Sequence, residues 1–248
     1  MRITRPIYLI SAVVVCLSTV QGQNFRGGYS FYLPPDDTST ASFLPRFPAD
    51  PIGDSDNITI NSAGRFQAGG DRIRFFGTNL TAGACFPDKA GAGLIAGRIR
   101  KMGFNLIRFH HMDNAWGESH FEPTGDTRHL SSEHLDRLMY LLYQLRQNGV
   151  YANINLHVSR TFREADGVAG ADSIPDFGKG VTLFDPYLIT LQKEYAARLL
   201  NSVSPYTHKP LTRDPVVAMV EIVNENSLYR MWRDDALKPL TRGGKLLT

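Results

Sequence analysis

The segment Glu221-Ile-Val-Asn-Glu-Asn-Ser-Leu228 sets two carboxylates and two amides at the end of an apolar run, Pro215-Val-Val-Ala-Met-Val220. A carboxylate can give or take a proton at a reacting oxygen. An amide beside it can hold a polar ligand in place. Two earlier apolar runs carry groups of the same kind: Arg108, His110, His111 and Asp113 in one, Asn153, Asn155 and His157 in the other.

The spacing limits which of these groups act together. Glu221 and Glu225 lie four residues apart on a strand, roughly 13 Å of backbone. Two carboxylates that share the work of cleaving a glycosidic bond stand about 5–9.5 Å apart, so these two are not partners. Glu221 is expected deeper, as a structural ion-pair member beside Arg108 or another interior base. Glu225, at the strand's end, is the candidate for proton transfer. The run His110-His111-Met-Asp113 admits a second chemistry, since imidazoles and a carboxylate are metal ligands. Against it, neighbouring strand residues point to opposite faces. No metal or other cofactor is expected. Trp116, in the following loop, offers either a ring for stacking on a sugar face or ordinary loop packing. His120, His129, His134 and His208 read as solvated surface residues.

These groups need elements to position them. Ile73 to Asn79 is strand-like, and Asp88 to Met102 is helical with Ile95, Ile99 and Met102 on one face. Phe104 to His111 is strand-like again. Leu135, Leu138, Leu142 and Leu145 form a helical stripe that stops at Gly149. Strand-like Tyr151 to Val158 follows. Asp185-Pro186 then provides a cap and first-turn proline for a helix bearing Leu188, Leu191, Tyr195 and Leu199. The alternation predicts parallel β/α units. Long loops, from about His111 to Leu130 and from about Ser159 to Phe184, leave the carboxyl ends of the strands, where ligands bind in such folds. On the third strand Tyr151, Asn153, Asn155 and His157 share one face; on the fourth, Glu221, Val223 and Glu225 do. Buried unpaired polar groups are costly, so that polar face is expected to line a site.

Before the first unit, Gly64 to Gly77 reads as a β-hairpin around Gly69-Gly70-Asp71. Residues 23–60, rich in Pro, Asp, Ser and Thr, read as an irregular extension. Residues 1–22 have the form of a signal peptide, with Arg2 and Arg5 ahead of an apolar stretch too short to span a bilayer. A lipid anchor on Cys16 is the rival. The expected location is therefore secreted or periplasmic, with no membrane attachment after cleavage. Removing Arg2 and Arg5 lowers the formal charge from +3 to +1, which leaves no electrostatic reason to bind nucleic acid. Cys85 is then the one remaining cysteine, so stability depends on packing. Asn57-Ile-Thr and Asn79-Leu-Thr are glycosylation sequons. Asn57 is expected to be accessible, and Asn79 to face the cleft.

Asn224-Glu225 after the fourth strand, Arg108 on the second and His157 at the end of the third resemble the signature of the cellulase-like glycoside hydrolases, family five and its (β/α)₈ relatives, from about Gly64 to Leu228. The resemblance implies an α/β fold, the N-terminal part (about four β/α units) of a TIM barrel, with residues 61–248 forming an incomplete catalytic domain. It implies a retaining hydrolase acting on β-linked oligo- or polysaccharides. Glu225 would be the general acid/base, Asn224 would bind the sugar 2-hydroxyl, and Arg108 would orient the nucleophile. His157 would line the cleaved subsite, with His110, Asn79 and Trp116 also binding substrate. In relatives the nucleophile is a glutamate on strand seven, which is absent from this sequence. The chain therefore reads as the front portion of a longer protein or as a truncated product with exposed strand edges and an exposed apolar inner face. A non-catalytic carbohydrate-binding remnant is the alternative function, and a metal-dependent barrel hydrolase a further one.

Overall fold

The computed structural model of the chain describes residues 34, 36, 37 and 50–236. The signal peptide, Cys16, most of the extension and the residues after 236 lie outside the described residues. Three short strands, β1 (Thr59–Ile60), β2 (Phe66–Ala68) and β3 (Asp71–Arg72), form an antiparallel sheet. Gly69 and Gly70 link β2 to β3 with φ of 56° and 93°, the left-handed pair that a two-residue hairpin turn requires. The hairpin is thus present, while β1 falls inside the stretch expected to be irregular.

A second sheet holds β4 (Gly77–Thr81), β5 (Leu106–His110), β6 (Tyr151–His157) and β7 (Val217–Val223), all parallel and in sequence order. The helices α1 (Lys89–Lys101), α2 (Ser132–Gln147) and α3 (Pro186–Asn201) supply the crossovers. Asp88 and Asp185 cap α1 and α3 by accepting from Gly91 N and Leu188 N, and Pro186 opens α3. β4 begins four residues later than the sequence suggests. A short helix, α4 (Leu228–Arg233), follows β7 and has no counterpart in the sequence reading.

Ile107, Phe109, Ala152 and Ile154 point from the sheet into the helices, where Leu138, Leu141, Leu142, Leu145, Tyr195 and Leu199 are buried against them. Each buried Leu, Ile or Phe among them contributes about 1.5–3 kcal/mol. On α1 the buried stripe is Ala92, Ala96 and Ile99, whereas Met102 is exposed. Met102 is the residue after the last helical one, which takes it off the buried face.

The other side of the sheet is polar. Asn79, Arg108 and Asn153 stand in one register row across β4, β5 and β6. Between β6 and β7 the register shifts at Ala152/Asn153, and this shift sets Asn155 opposite Glu221. A one-residue slip changes which side chains meet, so the irregularity decides the contact. The expected exposed apolar inner face is therefore not what the sheet presents. Exposed apolar groups on β7 are Val220 and Ile222, on the opposite, helix-facing side. Asn57 is exposed, as is Asn79 midway along β4.

Candidate active site

At the carboxyl ends of the strands a continuous polar network crosses the sheet. Arg108 donates from Nε and Nη2 to the two carboxylate oxygens of Glu221 at 2.8 and 2.6 Å. Asn155 Nδ2 donates to Glu221 Oε2 at 2.7 Å, and Asn155 Oδ1 meets His110 Nδ1 at 2.7 Å. Arg108 Nη2 also donates to Asn224 Oδ1 at 3.0 Å. The Arg108–Glu221 pair is about a quarter to a third exposed, so solvent reaches it and it is not sealed in a core.

Arg108 holds the Glu221 carboxyl below the usual carboxylate range, with Asn155 adding to the effect. Glu221 gains this stabilisation only while ionised. Its contribution is therefore complete above the ordinary glutamate pKa and fades as the pH falls through the lowered value. Glu221→Gln is expected to remove this part of the acid dependence of the thermal midpoint, and an unchanged pH profile would contradict the pairing.

Beyond β7 the chain bends. Asn224 N donates to His157 O at 3.0 Å, one residue past the strand, and the Asn224 side chain turns onto Arg108. Strict alternation would have sent it to the opposite face from Glu221. Glu225 then adopts φ 50°, and its side chain is exposed, making no hydrogen bond or ion pair among the described residues. Left-handed backbone at non-glycine residues recurs here: Ala82 and His111 directly follow β4 and β5, and Phe177 lies in the loop after β6. Such backbone is uncommon and clusters at functional sites.

The same effect changes the reading of the histidines. His111 has φ 53°, which brings its ring to 4.2 Å from that of His110, between centroids, instead of onto the opposite face. His111 Nδ1 meets Ser159 Oγ at 2.9 Å. Burial, then His110, lowers its pKa. Among the described residues no group of three or more His, Cys, Asp or Glu side chains is placed to hold a metal ion.

His157 is 2% exposed and sits beneath the loop that leaves β6, so it does not form an open subsite wall. Burial lowers its pKa to about 4, and the facing Asp113, 4.0 Å away, offsets only part of this. The Phe177 carbonyl also favours the charged ring, although neither ring nitrogen makes a well-aligned hydrogen bond. His120 is fully buried, not solvated, and burial lowers its pKa to about 3. His134 is half-buried, its Nδ1 2.5 Å from Ser119 O, while His129 and His208 are exposed. Both buried rings are neutral when folded and would charge when unfolded. Thermal stability is therefore expected to fall as the pH drops from about 6.5 to about 4; a flat profile across that window would contradict their burial.

Asp113 has a role that its sequence context hid. Its buried carboxylate accepts from the backbone N–H groups of Val158, Ser159 and Arg160 at 2.8, 3.0 and 3.1 Å, fastening the start of the loop after β6. Deeper in that loop the buried Arg160 guanidinium donates to Thr127 Oγ1, Thr127 O and Leu191 O, over the ring of Phe162. Asn226 accepts from Gly180 N at 2.6 Å and donates to Thr182 Oγ1 at 3.1 Å, tying the same loop to the segment that carries Glu225. A lone Asn after a strand gives no sequence signal of such a clamp. A cavity of about 690 Å³, lined by Asp56, Arg72, Arg74, Asn105 and Tyr151 among others, lies at the amino-terminal end of the sheet, away from this network.

Four parallel strands in sequence order, polar on one face and helix-covered on the other, have counterparts among solved structures. An endo-1,4-β-mannanase from Rhizomucor miehei aligns over 68% of this chain and 48% of its own, at 18% identity and TM-score 0.54. A mutant family 5 mannosidase from the same organism, in complex with mannosyl-fructose, aligns over 77% of this chain and 54% of its own, at 16% identity and TM-score 0.57. The fold is part of a (β/α)₈ barrel. The chain spans about half the length of these barrels. No protein-family model matches it, and no curated protein does. In barrel terms β4 to β7 are four successive strands, and the polar network sits at the carboxyl-terminal rim, where barrel enzymes build their sites.

Proposed function

We propose that the protein is a glycoside hydrolase of β-linked saccharides, with residues 61–248 belonging to its catalytic domain and residues 1–22 directing export. The observation that supports this reading is the fold of Asn224, the residue directly before Glu225, onto Arg108 of the Arg108–Glu221 pair at the barrel rim. Glu225 acts as general acid towards the leaving oxygen and then as base towards water, and retention of configuration requires that a nucleophilic carboxylate from outside these four units form the glycosyl-enzyme bond that the water breaks. Its open environment gives substrate access. Asn224, Arg108, His110 and Asn79 line the sugar-binding surface, with Trp116 at its edge. His157 supports them from beneath. The likeness to mannanase and mannosidase structures makes β-mannosides the first substrates to try.

Retention needs a second carboxylate. Glu221 is committed to Arg108 and Asn155, which favours, as a second reading, a chain that binds saccharide without cleaving it. Hydrolysis of β-1,4-manno-oligosaccharides and aryl β-glycosides, with the anomer of the first product read by NMR, separates the two. Turnover with retention supports the hydrolase, and binding without turnover supports the second reading. Neither binding nor turnover on any β-glycoside overturns both.

A further inference from the structure

Trp116 is 57% exposed, and a turn built by one side chain presents it. The buried Asn114 accepts from Trp116 N and Gly117 N while donating to His111 O and Glu118 O. The indole stands 5.3 Å from the His111 ring and 5.8 Å from that of Phe177, between centroids. Phe177 comes from the other long loop and is 37% exposed. Its backbone has φ 61° and ψ 27°, a conformation open to glycine and strained for a bulky side chain. Gly178 follows directly and would have been the cheaper residue to place there. Asn226 binds Gly180 and Thr182 of the same loop, so this loop is tied to the segment that carries Glu225.

An exposed aromatic ring kept at a strained position next to a second exposed ring does little for the core. Exposed rings suit the apolar faces of pyranoses, and β-linked sugars offer such faces in succession. We infer that Trp116 and Phe177 form a two-ring shelf on the barrel rim that stacks a pyranose unit of a β-linked oligosaccharide, Phe177 being a substrate-binding residue. This deepens the hydrolase reading and rests on it.

The test is calorimetric titration of the whole chain with β-1,4-mannohexaose, beside thermal melts, for the natural protein, Phe177→Gly, Phe177→Tyr and Trp116→Ala. Phe177→Gly should melt no lower than the natural protein, because glycine relieves the backbone strain. It should bind the hexaose about 10-fold more weakly, the worth of one aromatic stacking contact. Trp116→Ala should lose a similar factor, and Phe177→Tyr should restore binding. Undiminished affinity in Phe177→Gly, with the natural protein binding normally, overturns the shelf alone. A clearly lowered melting temperature in Phe177→Gly also overturns it, since the ring would then be packing. No binding and no hydrolysis by the natural protein on any β-glycoside overturns the hydrolase reading and the shelf with it.

Discussion

Glu225→Gln is expected to leave the protein folded and to lower kcat on β-mannosides by about 10²–10⁴-fold, the usual worth of a general acid/base. The lost transition-state stabilisation is about 3–5 kcal/mol. Stability should change by no more than about 0.5 kcal/mol, because the carboxylate is exposed and makes no hydrogen bond or ion pair among the described residues. Glutamine keeps the size and polarity of the side chain and removes only its ability to exchange a proton. Rates and thermal melts on one preparation check both halves. A variant that hydrolyses as fast as the natural protein would remove Glu225 from the mechanism.

The second large effect is on stability. Asp113→Ala strips a buried carboxylate from three backbone donors, Val158 N, Ser159 N and Arg160 N, and from the Ser159 hydroxyl. A buried donor left without a partner costs about 1–3 kcal/mol, and breaking a buried charged network costs about 3–5 kcal/mol in total. The thermal midpoint should fall by roughly 10 °C for a domain of this size. Asp113→Asn keeps one acceptor oxygen and should fall between the two. Since Asp113 joins the loop after β5 to the loop after β6, the alanine variant should also weaken saccharide binding. A stability loss under about 1 kcal/mol would show that the loops are fastened elsewhere.

The parallel units were legible because long apolar periodicities survive local irregularity. The stripes of α2 and α3 and the alternation in β6 depend on many residues each, and all lie where their spacing puts them. The pairing of Arg108 with Glu221 was legible for the same reason, both being strand residues on the inner face. Inference from alternation stops where the strand stops. His111 and Glu225 turn into left-handed backbone, so their directions follow the turn and not the strand. The bulge at Ala152/Asn153 set the Asn155–Glu221 contact, and nothing in the composition of either strand announced it. Loop residues fared worst. An isolated histidine such as His120 has no period to betray burial, and it lies against Phe86 and Tyr195. Asp113 sits in a run whose residue types suit a metal, although its partners are backbone N–H groups some 45 residues further along the chain. The six-residue α4 is too short for any periodic signal.

The most direct measurement of the proposed role of Glu225 is the leaving-group dependence of hydrolysis by the natural protein and by Glu225→Gln. An acid catalyst matters most when the departing oxygen is basic. The predicted result is a variant that fails on oligosaccharides and poor aryl leaving groups yet approaches the natural rate of bond cleavage on dinitrophenyl glycosides. A loss of the same size for every leaving group, or no loss for any, would contradict it.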